Sequence, residues 1–267
     1  MSDPSKTEHR ASAVAIIPAR YASSRFPGKP LADRTGKPMI QHVVERARQA
    51  RLVGDVIVAT DDQRIHDAVL AFGGHAMMTR ADHPNGTTRI GEVIERLNDS
   101  SHKAGNGLPD IIVNVQGDEP EIDPAIIDQL IQGLIDDPQA PMATLAADFA
   151  DDEDPGDPNI VKLVVDQRGY AMLFSRALIP HYRDPSQAAG AMPRYLKHPG
   201  LYAYRRDFVV TYVTLMPTPN EQAEQLEQLR ALEHGHRIKV VHADVRHHGI
   251  DTPQQYDAFV ARYAKAR

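Results

Sequence analysis

The sequence predicts an α/β fold in which helices wind over both faces of a mostly parallel sheet. Three observations carry that prediction. Short apolar runs are hydrophobic throughout rather than alternately, stretches of helical period separate them, and turn-rich loops follow them.

Ala13-Val-Ala-Ile-Ile-Pro18 is the first run, and it opens into a loop, Ala19 to Pro30, of small, basic and turn-forming residues. Met39, Ile40, Val43, Val44 and Ala47 recur at helical spacing, and Val56-Ile-Val58 is a second strand. Ile65, Ala68, Val69 and Phe72 mark one amphipathic helix, and Ile90, Val93, Ile94 and Leu97 mark another. Ile111 to Val115 is a buried strand, followed by a helix over Pro124 to Asp136 with Ile127, Leu130, Ile131 and Leu134 on one face. In such sheets ligands bind beyond the carboxyl ends of the strands, so the loops at Ala19, Thr60 and Gln116 are the expected ligand side.

The pattern breaks at Asp151-Asp-Glu-Asp-Pro-Gly-Asp-Pro158, read as a solvated boundary loop. Beyond it come short strands at Ile160 to Val165, Ala171 to Phe174 and around Leu201 to Tyr204, a loop with prolines at 180, 185 and 193, and a helix from about Asn220 to His234. Ile238 to Ala243 returns as a strand, and Thr252-Pro253 opens a last helix. The expected division is a main α/β domain of 13–150 with 238–267, a smaller α+β segment of 159–237, and a loose tail of 1–12.

Composition narrows the function classes. The 267 residues include no cysteine, which excludes disulfides, a thiolate nucleophile and Cys-ligated zinc or iron–sulfur sites. A net charge of −6, from 30 Lys+Arg against 36 Asp+Glu, argues against bulk nucleic-acid binding. No run approaches the roughly 18 apolar residues of a membrane span. The first twelve residues lack the apolar stretch of a signal peptide, so a cytoplasmic protein is expected.

The basic loop places Arg20, Arg25 and Lys29 within ten residues, a set that suits a triphosphate and equally reads as a solvated surface loop. It is not a P-loop, because Ser23 stands where the first glycine belongs and Pro30 where Ser or Thr holds magnesium. Asp118, in Gln116-Gly-Asp-Glu-Pro120, emerges at the end of a buried strand and suits a hard cation beside phosphates; its plainer reading is a turn former ahead of Pro120. Thr252, Pro253 and Gln255 already form a capping box, which leaves Asp251 to serve as a second Mg2+ ligand or as a plain helix-entry carboxylate. Five histidines between His234 and His248 show no metal-ligand spacing and read as surface and loop residues. Neither a G-x-S-x-G elbow nor a G-x-G-x-x-G loop after the first strand is present.

Taken in order, Ile16 to Pro30, Met78-Thr-Arg-Ala-Asp-His83, Val113 to Pro120, Met142-Ala-Thr-Leu145, Phe174-Ser-Arg176, Leu226-Glu-Gln-Leu-Arg230 and Gly249-Ile-Asp-Thr-Pro253 resemble the 3-deoxy-manno-octulosonate cytidylyltransferase (CMP-KDO synthetase) family, from about residue 13 to the end. The resemblance implies a Rossmann-like nucleotide-diphospho-sugar transferase fold, with the smaller segment binding sugar and forming a homodimer. It implies magnesium-dependent transfer of CMP from CTP to KDO, releasing pyrophosphate and supplying lipopolysaccharide synthesis. Arg20, Arg25, Lys29 and Arg89 match its nucleotide side, with Lys29 and Arg25 acting in catalysis. Asp118 and Asp251 match its Mg2+-binding aspartates, and Gln116, Arg176, His198, Tyr202, Glu227 and Gln228 match positions that contact the acidic sugar. This chain departs from the family pattern at Asn85-Gly-Thr-Thr-Arg89, where Ser-Gly-Thr-Glu-Arg is more usual, and at His247-His248. A modified KDO or another acidic sugar, or a non-catalytic nucleotide-sensing module on the same site, are the alternatives.

Overall fold

The computed structural model describes residues 13–22, 25–104, 109–184, 195–245 and 249–265. The expected tail, Ser23, Pro185, Pro193 and His247-His248 lie outside the described residues. Among the described residues ten strands and eight α-helices follow one another through β1 (Ala13–Ala19), α1 (Met39–Ala47), β2 (Val53–Thr60), α2 (Gln63–Ala71), β3 (His75–Met78), α3 (Gly86–Ala104), β4 (Ile111–Asn114), α4 (Pro124–Asp136) and β5 (Met142–Asp148). They continue as β6 (Lys162–Val165), β7 (Ala171–Ser175), β8 (Leu196–Lys197), β9 (Tyr202–Arg205), α5 (Arg206–Tyr212), α6 (Pro219–Glu224), α7 (Gln228–Glu233), β10 (Ile238–His242) and α8 (Pro253–Lys265).

The strand order is β3-β2-β1-β4-β9-β5-β8-β6-β7, with β10 also paired to β5. β3, β2, β1 and β4 are mutually parallel; β5 and β10 run the same way, and β9 alone is reversed between β4 and β5. The outer β8, β6 and β7 are antiparallel. Strand β1 shows why its apolar run is continuous. Ala13, Ala15 and Ile17 enter a core shared with Val43 of α1, Ile65 of α2 and Ile127 of α4, whereas Val14 and Ile16 enter a second core with Ile90 of α3, Phe208 of α5 and Leu229 of α7. Both faces of the sheet are therefore covered, as the sequence predicts. Met39, Ile250, Tyr256 and Phe259 form a third cluster that docks α8 beside α1. Among the described residues no helix is long and apolar enough to cross a membrane.

Two expectations are corrected. The single helix expected from Asn220 to His234 is two helices, α6 and α7, separated at Gln225, whose φ of 54° is left-handed. The Glu224 carboxylate accepts from the Ser175 hydroxyl and the Arg176 N–H, and this long-range tie holds the break in place. Nor does the segment 159–237 stand apart from the main sheet. Its strand β9 fills the gap between β4 and β5, with Asn114, Tyr202 and Thr144 in register across the three strands.

Candidate functional site

The chain leaves β1 and β4 side by side at the carboxyl edge of the sheet. A side chain on Gly117 would bring its Cβ to 2.9 Å from the Pro18 carbonyl oxygen, so the close crossing of these two exits requires glycine. Asp118 follows at once, and its carbonyl accepts from the Ile250 N–H at 2.8 Å, drawing the Gly249–Asp251 segment to the same place. Thr252 and Gln255 cap α8 reciprocally: the Gln255 N–H donates to Thr252 Oγ1 at 3.3 Å, and the Thr252 N–H to Gln255 Oε1 at 3.0 Å. The Asp251 carboxylate turns instead toward the basic loop.

There Lys29 Nζ donates to Asp118 Oδ2 at 3.0 Å, to Asp251 Oδ1 at 3.3 Å and to the Ile250 carbonyl at 2.6 Å, using all three ammonium protons. Arg25 Nη2 lies 3.2 Å from the other Asp251 oxygen. Gly28, at φ 71°, makes the turn that presents Lys29. Four of the expected residues, Arg25, Lys29, Asp118 and Asp251, thus meet although 222 positions separate Lys29 from Asp251. Glu119 stands beside them. Burial, then the charges of Asp118 and Asp251, push its carboxyl up to about 8, which keeps it protonated at neutral pH. Among the described residues no cluster of three or more His, Asp or Glu is arranged to hold a metal. The hard oxygen pair of Asp118 and Asp251 nevertheless fits magnesium, which takes one or two carboxylates and completes its shell with phosphate and water.

Arg20 Nη2 donates to the His83 carbonyl at 2.6 Å, and its charge is felt both at Arg89 and at Glu227. The His83 ring is in turn held by Glu92 on α3, both of them buried. Arg89 stands in the first turn of α3. It is completely buried, ion-paired to Asp61 at 3.2 Å and bonded to Thr79, and desolvation pulls its pKa down against the support of Asp61.

Of the residues expected on the sugar side, His198, Tyr202 and Gln228 meet at β9. The His198 ring lies edge-on to Phe174 at 4.9 Å and to Tyr202 at 5.3 Å, and contacts Thr144 and Gln228. Part of the residue's surface is accessible, yet burial of the ring pushes it down to about 3, so the imidazole is neutral. Burial raises the Glu227 carboxyl, which accepts from Thr87 Oγ1 at 3.2 Å. Gln116 lines a cavity with Glu119, Pro199, Gly200 and Leu201. Arg176 is tied elsewhere: its Nε donates to the Glu224 carbonyl at 2.7 Å and its Nη1 to the Pro158 carbonyl at 3.0 Å. Sequence reasoning missed Thr87, Glu92, Thr144 and Asp61 as partners of these residues. Asp61 directly follows Thr60, where a ligand-side loop was expected, and Thr87 and Thr144 lie in the Asn85–Arg89 and Met142–Leu145 motifs; those positions were the available signals.

Residues 14–238 match the cytidylyltransferase family. The chain is 50% identical over 247 residues to a 3-deoxy-manno-octulosonate cytidylyltransferase of Syntrophotalea carbinolica, covering 91% of this chain and 95% of the relative. It is 51% identical over 258 residues to the enzyme of that name from Geotalea uraniireducens, covering 94% and 99%. A CMP:2-keto-3-deoxy-manno-octonic acid synthetase solved in complex with CTP superposes with a TM-score of 0.85 at 47% identity, over 96% of this chain and 99% of that one. With the parallel sheet, the crossed loops of β1 and β4 and these relatives in agreement, the chain belongs to the 3-deoxy-manno-octulosonate cytidylyltransferase family.

Proposed function

We propose that this protein transfers CMP from CTP to KDO, giving CMP-KDO and pyrophosphate for lipopolysaccharide synthesis, with magnesium as cofactor. The convergence of Lys29 and Arg25 with Asp118 and Asp251 carries the reading. An anionic triphosphate needs cations, and an adjacent pair of carboxylates beside those cations is the complement of a phosphate-bound metal. The relatives named for this reaction, one of them solved with CTP, support the choice of nucleotide and sugar.

In the reaction the anomeric hydroxyl oxygen of KDO attacks the α-phosphorus and releases its proton to solvent, the bond to the bridging oxygen breaks, and pyrophosphate leaves with that oxygen. Catalysis of this kind rests on positioning and charge neutralisation. Arg20, Arg25 and Lys29 bind the phosphates, and Lys29 and Arg25 stabilise the charge that grows on pyrophosphate. Asp118 and Asp251 would hold the magnesium ion, which when bound neutralises phosphate charge and lowers the pKa of the attacking hydroxyl. Gln116, His198, Tyr202, Glu227 and Gln228 orient the sugar; neutral His198 does so by hydrogen bonding and not by charge. Arg176 pairs with the sugar carboxylate only by giving up its two backbone carbonyl partners.

Replacing Asp118 by Asn is expected to abolish pyrophosphate release while leaving the far-UV circular dichroism and melting profile intact. Wild-type turnover of that variant at saturating magnesium would remove the metal-binding role. We also infer a homodimer through the outer sheet, because β7 ends the strand order and leaves Met172 63% and Leu173 43% exposed. Sedimentation equilibrium should give twice the chain mass, and a monomer at micromolar concentration contradicts the inference.

A further inference from the structure

The Met142-Ala-Thr-Leu145 motif has no part in the mechanism above, yet its threonine is completely buried on β5 and touches the sugar-side histidine. Thr144 Oγ1 lies 2.8 Å from the Leu201 carbonyl oxygen. A carbonyl only accepts, so the single hydroxyl proton of Thr144 is committed to it. The other contact of Oγ1, 2.8 Å to His198 Nε2, is therefore one in which the imidazole donates. A neutral imidazole carries one proton; with that proton on Nε2, Nδ1 is an acceptor. Gln228 faces Nδ1 through its amide at 3.5 Å, a long contact whose value is directional. Only the NH2 end can face an acceptor, and the amide oxygen then points the opposite way.

We infer that Thr144 is a positioning residue of the acidic-sugar site: it fixes the tautomer of His198 and thereby turns Gln228 to offer its carbonyl oxygen to a sugar hydroxyl. The inference rests on the proposed sugar-side role of His198 and Gln228. Direction passes from the Leu201 carbonyl through Thr144 and His198 to Gln228, with each group's donor or acceptor choice dictated by the one before it. Valine has the shape of threonine without the acceptor. In Thr144→Val the Nε2–H faces a methyl group, the proton moves to Nδ1, and Gln228 must turn its oxygen toward the ring and its NH2 toward the sugar. Serine keeps the hydroxyl and the direction.

The test combines steady-state kinetics with CTP, Mg2+ and KDO and 15N NMR of histidine-labelled protein. Thr144→Val is expected to raise the KM for the sugar roughly ten-fold, the scale of one lost or reversed hydrogen bond, with the KM for CTP unchanged. Thr144→Ser should restore the wild-type value. The His198 signals should report protonated Nε2 in the wild type and in Thr144→Ser, and protonated Nδ1 in Thr144→Val. A Thr144→Val sugar KM equal to wild type, or a wild-type His198 with its proton on Nδ1, overturns the relay. Absence of turnover in the wild type overturns the sugar-site reading on which the relay depends, and the NMR spectrum separates that failure from a failure of the tautomer assignment.

Discussion

Burial moves the pKa values of two residues in opposite directions and favours the uncharged form of both. His198 loses its proton down to about 3 because the charged ring is desolvated, and Glu119 keeps its proton up to about 8 because burial and two neighbouring aspartates oppose ionisation. The histidine makes a prediction about stability. Its folded pKa lies below the ordinary value of 6.5, so between about 3 and 6.5 the unfolded chain binds the extra proton. Its contribution to stability therefore rises with pH across that window and falls on acidification. Urea unfolding between pH 4 and 7 should show a shallower acid-side loss in His198→Asn than in the wild type. Equal slopes would mean that the imidazole is solvated and free to titrate, and the neutral tautomer used above would go with it. Glu119, raised to about 8, adds no full negative charge at neutral pH beside the Asp118 and Asp251 pair.

At the scale of elements, the site depends on how closely the exits of β1 and β4 cross. Gly117→Ala places a methyl 2.9 Å from the Pro18 carbonyl oxygen, against backbone that cannot yield cheaply. A loss of about 1–3 kcal/mol in unfolding free energy is expected, the usual cost of overpacking, together with lower turnover as Asp118 shifts. A variant as stable and active as the parent would show that the crossing has slack. The strands β1, β2 and β4 and the helices α1 and α4 were legible in the sequence because burial on both faces, or on one helical stripe, writes itself as a local pattern. Strand β5 was legible only as a motif: Met142-Ala-Thr-Leu-Ala-Ala-Asp148 is rich in alanine, a weak strand former, and draws its order from β9 and β10 on either side. The break at Gln225 and the insertion of β9 were hidden for the same reason, since Glu224 meets Ser175, and Tyr202 meets Asn114, only once distant segments have assembled. In the site, Lys29 and Asp118 stood out by type and position, and Asp251 by the capping box beside it. The burial of Arg89, the backbone ties of Arg176 and the linkage of Thr144 to His198 each need contacts from other elements, which no local pattern records.

For the molecule as a whole, a net charge of −6 is compatible with anionic substrates because the charges are segregated. The acidic run from Asp151 to Asp157 lies on the connection that leaves the carboxyl end of β5, separated by β4 and β9 from the β1 loop that carries Arg20, Arg25 and Lys29. Beside that loop Asp118 and Asp251 are the pair suited to magnesium, whose binding reverses their local sign. The absence of cysteine is compatible with the proposed transfer by a metal ion and cations. Release of pyrophosphate from CTP and Mg2+, measured across a panel of acidic sugars, tests this account most directly. Release is expected to require magnesium, to be greatest with KDO, and to disappear in Asp118→Asn. Saturable CTP binding with no release from any sugar in the panel would contradict it and identify a nucleotide-binding module instead.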